Sequence, residues 1–342
     1  MEKSRYLTLV LRQKFISRWG LSEVLVNESV LEHGGMTALL AVFVTDEAKT
    51  LGKTIDANSV ITYGFMHDQP EILCLDLPSP LKNSTPEMVS AYEVLEDQSI
   101  KRIRDSAPEF MQKSFVEALS PTPKYVKRLG KACDLYHAYL KACFEVSIGN
   151  DIEFEFIKNK QWIYVQALFL EFTELKNVHD KYFNLIMKNY AKSYQSKKYQ
   201  EQFTLKPVFS EMEHAAMVCS LLFIINSHGF DTGDHHQLLR AALINNEFGT
   251  SFYNSVQLTS DERELIQSCN DYAQYLKLCR DVLRLPKNLR GGALDSLNEF
   301  KNSIVGSSVE ISMIDSCFSD EVESFDKQIE QIGANANLLK SA

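Results

Sequence analysis

What this 342-residue chain lacks removes several classes of protein. Its seven cysteines (Cys74, Cys133, Cys143, Cys219, Cys269, Cys279 and Cys317) include no C-x-x-C pair, and their number is odd. That argues against a disulfide framework or a zinc knuckle and for a reducing cytoplasm. Positive charge is in deficit, 36 basic against 45 acidic residues for a net −9, so the chain does not read as a binder of long nucleic acid or of a membrane surface. The longest apolar stretch, Ala215 to Ile225, is too short to span a bilayer. The N-terminal MEKSRYLTLVLRQKFISRW carries charges through its apolar stretch and no small-residue cleavage site, unlike a signal peptide. Alternating β patterns are scarce, and no low-complexity linker is visible.

What is present is helical periodicity, which predicts an all-α fold. Tyr6, Leu9, Val10, Gln13, Phe15 and Ile16 outline one amphipathic helix. Met36 to Phe43, Tyr63 to His67 and Cys133 to Val146 outline others, and Trp162 to Tyr194 reads as one or two long helices. Pro and Gly at Leu77–Pro80 and Ser120–Pro123 mark loops. The length exceeds one ordinary helical core and suggests two domains, set here at 1–198 and 199–342.

The division follows an internal repeat. Glu32-His33-Gly34-Gly35-Met36 returns as Glu213-His214-Ala215-Ala216-Met217. Cys133-Asp134-Leu135-Tyr136 returns as Cys269-Asn270-Asp271-Tyr272, and Cys143 then matches Cys279. Between them, Ile61–Glu71 aligns loosely with Ala241–Gly249. Three matches in one order favour duplication, although the second copy is shorter by roughly forty residues between the last two matches. The copies differ where chemistry would sit. His67-Asp68 becomes Asn245-Asn246, Glu71 becomes Gly249 and Asp134 becomes Asn270. A neutral amide is a poorer ligand for a divalent ion than a carboxylate, so the second copy is expected to be degenerate and without metal.

In the first copy, His33, His67, Asp68 and Asp134 together would suit one borderline divalent ion: Mn, Co, Fe, Ni or Zn. Such an ion activates water, polarises a phosphoryl group and orients the attack. Asp68 is thereby part of the catalytic centre as well as a ligand. Glu71, three residues later and expected on the same helical face, is the candidate for orienting the water or protonating the leaving alkoxide. The second His-Asp pair, His179-Asp180, is read as a decoy on a solvated helix face, and His235-His236 as part of a polar loop near Gly233.

At these residues the sequence resembles the HD-domain phosphohydrolases, and closely the YfbR-type 5′-deoxynucleotidases. The resemblance rests on Ile16-Ser17-Arg18-Trp19, Val30-Leu31-Glu32-His33, Met66-His67-Asp68-Gln69-Pro70-Glu71, Asp76 through Lys82, and Cys133 through Lys141. It implies the HD-domain helical fold, with metal at His33, His67, Asp68 and Asp134 and a catalytic Glu71. It implies a deoxynucleoside 5′-monophosphate as substrate, cleaved to deoxynucleoside and phosphate. Arg18 would clamp the phosphate with its forked donors, and Trp19 would pack on the sugar against a 2′-hydroxyl. Asp76, with Lys82 from the same segment, would bind the nucleotide. A related branch removes triphosphate from deoxynucleotides, and a non-enzymatic nucleotide-binding or interaction protein is the third reading. The sequence departs from the family at Gly34-Gly35, and Pro70 is expected to bend the helix that bears His67. Because the family's enzymes are homodimers of single domains, the second copy is expected to take the partner's place within one chain.

Overall fold

The run from Val30 to Thr45 is apolar or small on almost every face, and such a helix is stable only when other helices enclose it. A computed structural model of the chain, which describes residues 4–199, 210–244, 256–284, 297, 304 and 308–318, has that helix at its centre. It is α2 (Val30–Thr50), which follows α1 (Tyr6–Arg12), and every residue from Val30 to Thr45 is buried. Ser29 starts it by accepting the Glu32 amide, so one free amide of the first turn is satisfied. Around α2 pack α3 (Ala57–Met66), α8 (Lys124–Ser147), α10 (Thr173–Tyr199), α11 (Glu211–His228) and α12 (His235–Ile244). The described residues form an all-helical fold, with one isolated antiparallel bridge, Ser17 to Ser29. No described helix is long and apolar enough to cross a membrane.

Two contacts without side chains set how closely the central helices approach. A Cβ on Gly64 of α3 would stand 2.7 Å from the Ala38 Cα, and one on Gly35 of α2 would stand 2.3 Å from the Met212 carbonyl oxygen. Any larger residue forces these backbones apart. Gly34 likewise faces the Phe65 backbone. The Gly34-Gly35 departure is therefore explained by packing, since α2 is gripped at backbone distance by α3 on one side and α11 on the other.

Several elements differ from the sequence expectation. The first helix stops at Arg12, passes through a 3-10 turn at Gln13–Phe15, and leaves Ile16 extended, because Ile16 accepts the Val30 amide across the strap. The helix bearing His67 ends at Met66 rather than bending, and α4 (Glu71–Cys74) starts anew after Pro70. Glu71 thus shares no continuous helical face with Asp68. Part of the expected Leu77–Pro80 loop is the one-turn α5 (Ser79–Lys82). Next come α6 (Pro86–Ser106) and α7 (Glu109–Leu119). Trp162–Tyr194 is two helices, α9 (Asp151–Glu171) and α10, broken at the buried Phe172. His235 and His236 open α12 instead of lying in a loop.

Three described helices of the second half can be set beside three of the first. Helices α11, α12 and α13 (Ser260–Arg284) follow one another in chain order as α2, α3 and α8 do. Ser210 caps α11 as Ser29 caps α2, and Asp234 accepts the first amides of α12 as Asp56 does for α3. One continuous buried apolar cluster runs through both halves, and Phe65 and Phe223 meet across it with ring centroids 6.5 Å apart.

Candidate metal centre

The ligand candidates come from three elements. His33 lies in the first turn of α2, His67 and Asp68 lie in the turn that closes α3, and Asp134 lies mid-way along α8. The fold brings all four together. His33 Nε2 is 3.0 Å from Asp134 Oδ1 and 3.3 Å from Asp68 Oδ2. His67 Nε2 is 3.2 Å from Asp68 Oδ1 and 3.7 Å from Asp134 Oδ1. The donor atoms of His33, His67 and Asp134 all lie within 4.8 Å of one another.

The donor set fits a divalent cation. His67 Nδ1 faces the Gly64 carbonyl at 3.0 Å, which places a proton there and makes Nε2 the coordinating nitrogen, while against the effect of burial the Asp68 and Asp134 charges raise the pKa of the ring. That Nε2 is buried without a hydrogen-bond partner among the described residues, and it points at the two carboxylates. Burial, reinforced by the Arg18 charge, lowers the His33 pKa to about 4, so its ring is neutral as a metal ligand must be. Burial opposes ionisation of Asp68, yet His67, His33 and Arg18 outweigh it and hold its pKa below the usual range. Asp134 is likewise held well below that range against the cost of burial, chiefly by Lys131. Both carboxylates are thus ready-made anionic ligands.

Around them the charge is unbalanced. Glu71 and Asp76 sit in the same field as Asp68 and Asp134. Burial first, then Asp68 and Asp76, raises the Glu71 carboxyl well above its ordinary value. Burial also raises Asp76, with Arg18 offsetting it in part. Oε2 of Glu71 is buried with no hydrogen-bond partner among the described residues. Such a carboxyl is a proton donor in waiting.

Arg18 and Trp19 arrive on the strap between α1 and α2. Its main chain is fixed by the Arg18 amide, which donates to Glu28 at 2.9 Å, and by the Val30 amide, which donates to Ile16 at 3.0 Å. Arg18 Nη1 donates to Asp68 Oδ2 at 3.0 Å, which places a guanidinium at the edge of the metal donors. Trp19 has φ +65°, a conformation that costs a bulky residue strain and is sustained only by its surroundings. Its indole N–H donates to Glu28 Oε2 at 2.9 Å, and its ring packs on Phe154 of α9 with centroids 5.5 Å apart. Lys82 lies over the Tyr92 ring, 3.9 Å from its centroid, and 4.0 Å from Glu96; its described contacts are with α6.

Three residues at the site went unassigned in the sequence reading. Lys131 pairs with Asp134. His137 and Glu28 are buried beside His33. A signal for His137 exists, because Asp134, His137, Lys141 and Glu145 are all buried on α8 at helical spacing, a polar stripe inside a core. The decoy pair stands apart from the metal donors. Asp180 is exposed and pairs with Lys176, whereas His179 is not solvated as expected, but half-buried among Tyr139, Trp162, Phe169 and Phe183 and bonded to the Tyr136 hydroxyl at 2.9 Å. In the second half, His214 Nε2 meets Asn270 Oδ1 at 3.0 Å, the separation of His33 from Asp134. Asn245, Asn246 and Gly249 lie outside the described residues.

The chain is 31% identical over 163 residues to the 5′-deoxynucleotidase VV1113 of Vibrio vulnificus, an alignment covering 47% of this chain and 84% of that protein. Among solved structures it is similar to an HD-domain phosphohydrolase from Listeria innocua, at 18% identity and a TM-score of 0.46 over 52% of this chain and 85% of that one. A second is the cyanophage S-2L HD phosphohydrolase bound to dA and one catalytic zinc ion, at 18% identity and a TM-score of 0.40 over 53% and 95%. The model of the YfbR-like 5′-deoxynucleotidases matches residues 5–193, more than half of the chain, and the chain belongs to that family.

Proposed function

We propose that the chain is a metal-dependent phosphohydrolase that cleaves deoxynucleoside 5′-monophosphates to deoxynucleoside and phosphate. The observation that carries this reading is the convergence of the buried Nε2 atoms of His67 and His33 on the Asp68 and Asp134 carboxylates. His33, His67, Asp68 and Asp134 would hold one divalent ion, with Mn, Co, Fe, Ni and Zn all compatible with two imidazoles and two carboxylates. Bound there, the ion supplies Lewis acidity toward the attacking water and the phosphoryl group.

The chain's own groups do the rest. Arg18, already against Asp68, offers planar donors to the phosphate oxygens. Glu71, whose carboxyl is held above the ordinary glutamate range, delivers its proton to the departing O5′ of the sugar. Trp19, locked by Glu28 and Phe154, forms a rigid wall that penalises a ribose 2′-hydroxyl. Asp76 accepts from a sugar hydroxyl, and Lys82 contributes positive charge at the rim. The test is phosphate release from a panel of deoxy- and ribonucleoside mono- and triphosphates with Mn or Co. Phosphate from the deoxy monophosphates, abolished by chelator, supports the reading. Tripolyphosphate from the triphosphates, with the monophosphates inert, contradicts it.

We propose further that residues 199–342 are a second, degenerate copy of the unit and occupy the place of a partner subunit beside residues 1–198. The shared order of helices, the matched Ser and Asp caps and the matched His–Asp and His–Asn pairs support this. So does the direct bond from Ser29 at the start of α2 to Glu213 at the start of α11, 2.6 Å long.

A further inference from the structure

An imidazole that binds a cation through Nε2 carries its proton on Nδ1, and that proton needs an acceptor. His67 has the Gly64 carbonyl. His33 meets another ring instead. Its Nδ1 lies 2.7 Å from Nδ1 of His137, with both side chains wholly buried and the rings stacked at 4.8 Å. The far nitrogen of His137 is 2.8 Å from the Tyr190 hydroxyl and 3.3 Å from Glu28 Oε1. The other oxygen of Glu28 accepts the Trp19 indole N–H and lies 3.6 Å from Arg18 Nε.

Resting on the metal reading above, we propose that His137 is a positioning residue for the metal centre: backed by Glu28, it sets which nitrogen of His33 is free to bind the cation. The hydrogen-bond chain can run in two directions. Without a cation, His33 Nε2–H points at Asp134, and His137 Nδ1–H donates to His33 Nδ1. Tyr190 O–H then donates to His137 Nε2. With a cation at His33 Nε2, His33 Nδ1–H donates to His137 Nδ1, and His137 Nε2–H donates to Glu28. Each ring carries one proton in both arrangements, so neither imidazole has to become charged in the interior. Only a group that both donates and accepts at the same point permits this, which a lysine, an arginine or an aliphatic residue does not. Glu28 also holds the Trp19 and Arg18 arm, so the same carboxylate steadies a ligand and the recognition strap.

Glu28, His33 and His137 also bring three donor atoms within 4.8 Å, as a second metal site would. The 2.7 Å nitrogen separation speaks against one: two nitrogens each about 2.0–2.1 Å from a shared ion stand farther apart, whereas this is a hydrogen-bond length.

Zinc binding to the full chain, measured by calorimetry, is the probe. His137→Leu removes the acceptor and is expected to weaken zinc affinity by about ten- to a hundredfold. His137→Asn puts an amide oxygen where Nδ1 was and is expected to retain most of the affinity. Nitrogen-15 spectra of histidine-labelled wild-type protein read the tautomer directly, with His33 protonated on Nε2 before zinc and on Nδ1 after it. A folded His137→Leu protein with wild-type affinity overturns the proposal, as does an Asn variant as weak as the Leu one. Should the Leu variant not fold, the wild-type spectra decide alone, and retention of the His33 Nε2 proton in the loaded protein overturns it. A wild type that binds no zinc brings down the metal reading itself, and this inference with it.

Discussion

Glu71 is where the proton chemistry concentrates. Burial and the neighbouring carboxylates raise its pKa, so it stays protonated where an ordinary glutamate would be charged. Glu71→Gln is expected to lower kcat by about 10²–10⁴-fold with metal binding intact, and its pH–rate profile should lose the alkaline limb; steady-state rates from pH 5 to 9 check both. The sign for stability follows from the same shift. At low pH the carboxyl is neutral in the folded and unfolded chains alike, and it favours neither. As pH rises, the unfolded chain ionises first, near about 4.3, and the native state loses stability until pH passes the raised value. The metal-free Glu71→Gln protein should therefore melt at the wild-type temperature at acid pH and increasingly above it toward pH 8. Equal melting temperatures at pH 8 would contradict the placement of Glu71. Trp19→Ala should narrow the preference for deoxy- over ribonucleotides, read as a ratio of kcat/KM values.

At the scale of elements, the polar stripe on α8 joins the core to the recognition strap. Lys141 Nζ donates to the Val26 carbonyl at 2.6 Å and to Glu145 at 2.5 Å. Glu145 in turn accepts the Leu25 amide at 2.9 Å and the Val26 amide at 3.3 Å. Both side chains are fully buried, and removing one partner leaves the other charge uncompensated. Lys141→Met should cost about 3–5 kcal/mol by denaturant titration, while the double variant Lys141→Met/Glu145→Leu should recover part of that loss. Gly64→Val should be destabilising by about 1–3 kcal/mol or more, since its side chain would enter the Ala38 backbone. At this scale the sequence was readable in part. The candidate ligands stand in short local patterns, so His33, His67, Asp68 and Asp134 could be singled out before the fold. Periodicity located α2 and α8 because one period governs a whole helix. It missed the end of α1, where pairing of Ile16 with Val30 overrides an apolar pattern that continues. It also carried the α3 helix past Met66, although Gln69-Pro70 was the visible stop signal. Glu28 was not assignable because its partner Tyr190 lies 162 residues away, a distance no local pattern encodes, and His137 showed only as one member of the polar stripe on α8.

For the whole molecule, the pairing of α2 with α11 through Gly35 and Met212 makes the second half part of the same core as the metal centre. If this half stands in for a partner subunit, light scattering should give the mass of one chain, and a dimer would contradict that role. Asn270→Asp should leave turnover near the wild-type rate, because the site in question lies on α2, α3 and α8; a large loss would mean that the second half takes part in the chemistry. The account as a whole turns on one cation held between His33, His67, Asp68 and Asp134. Its most direct test is metal content by elemental analysis after equilibrium dialysis against Mn or Co, for the wild type and for folded Asp68→Asn and Asp134→Asn variants. One ion per chain in the wild type, and close to none in either variant, is the expected result. A wild type without metal, or variants that keep a full equivalent, would contradict it.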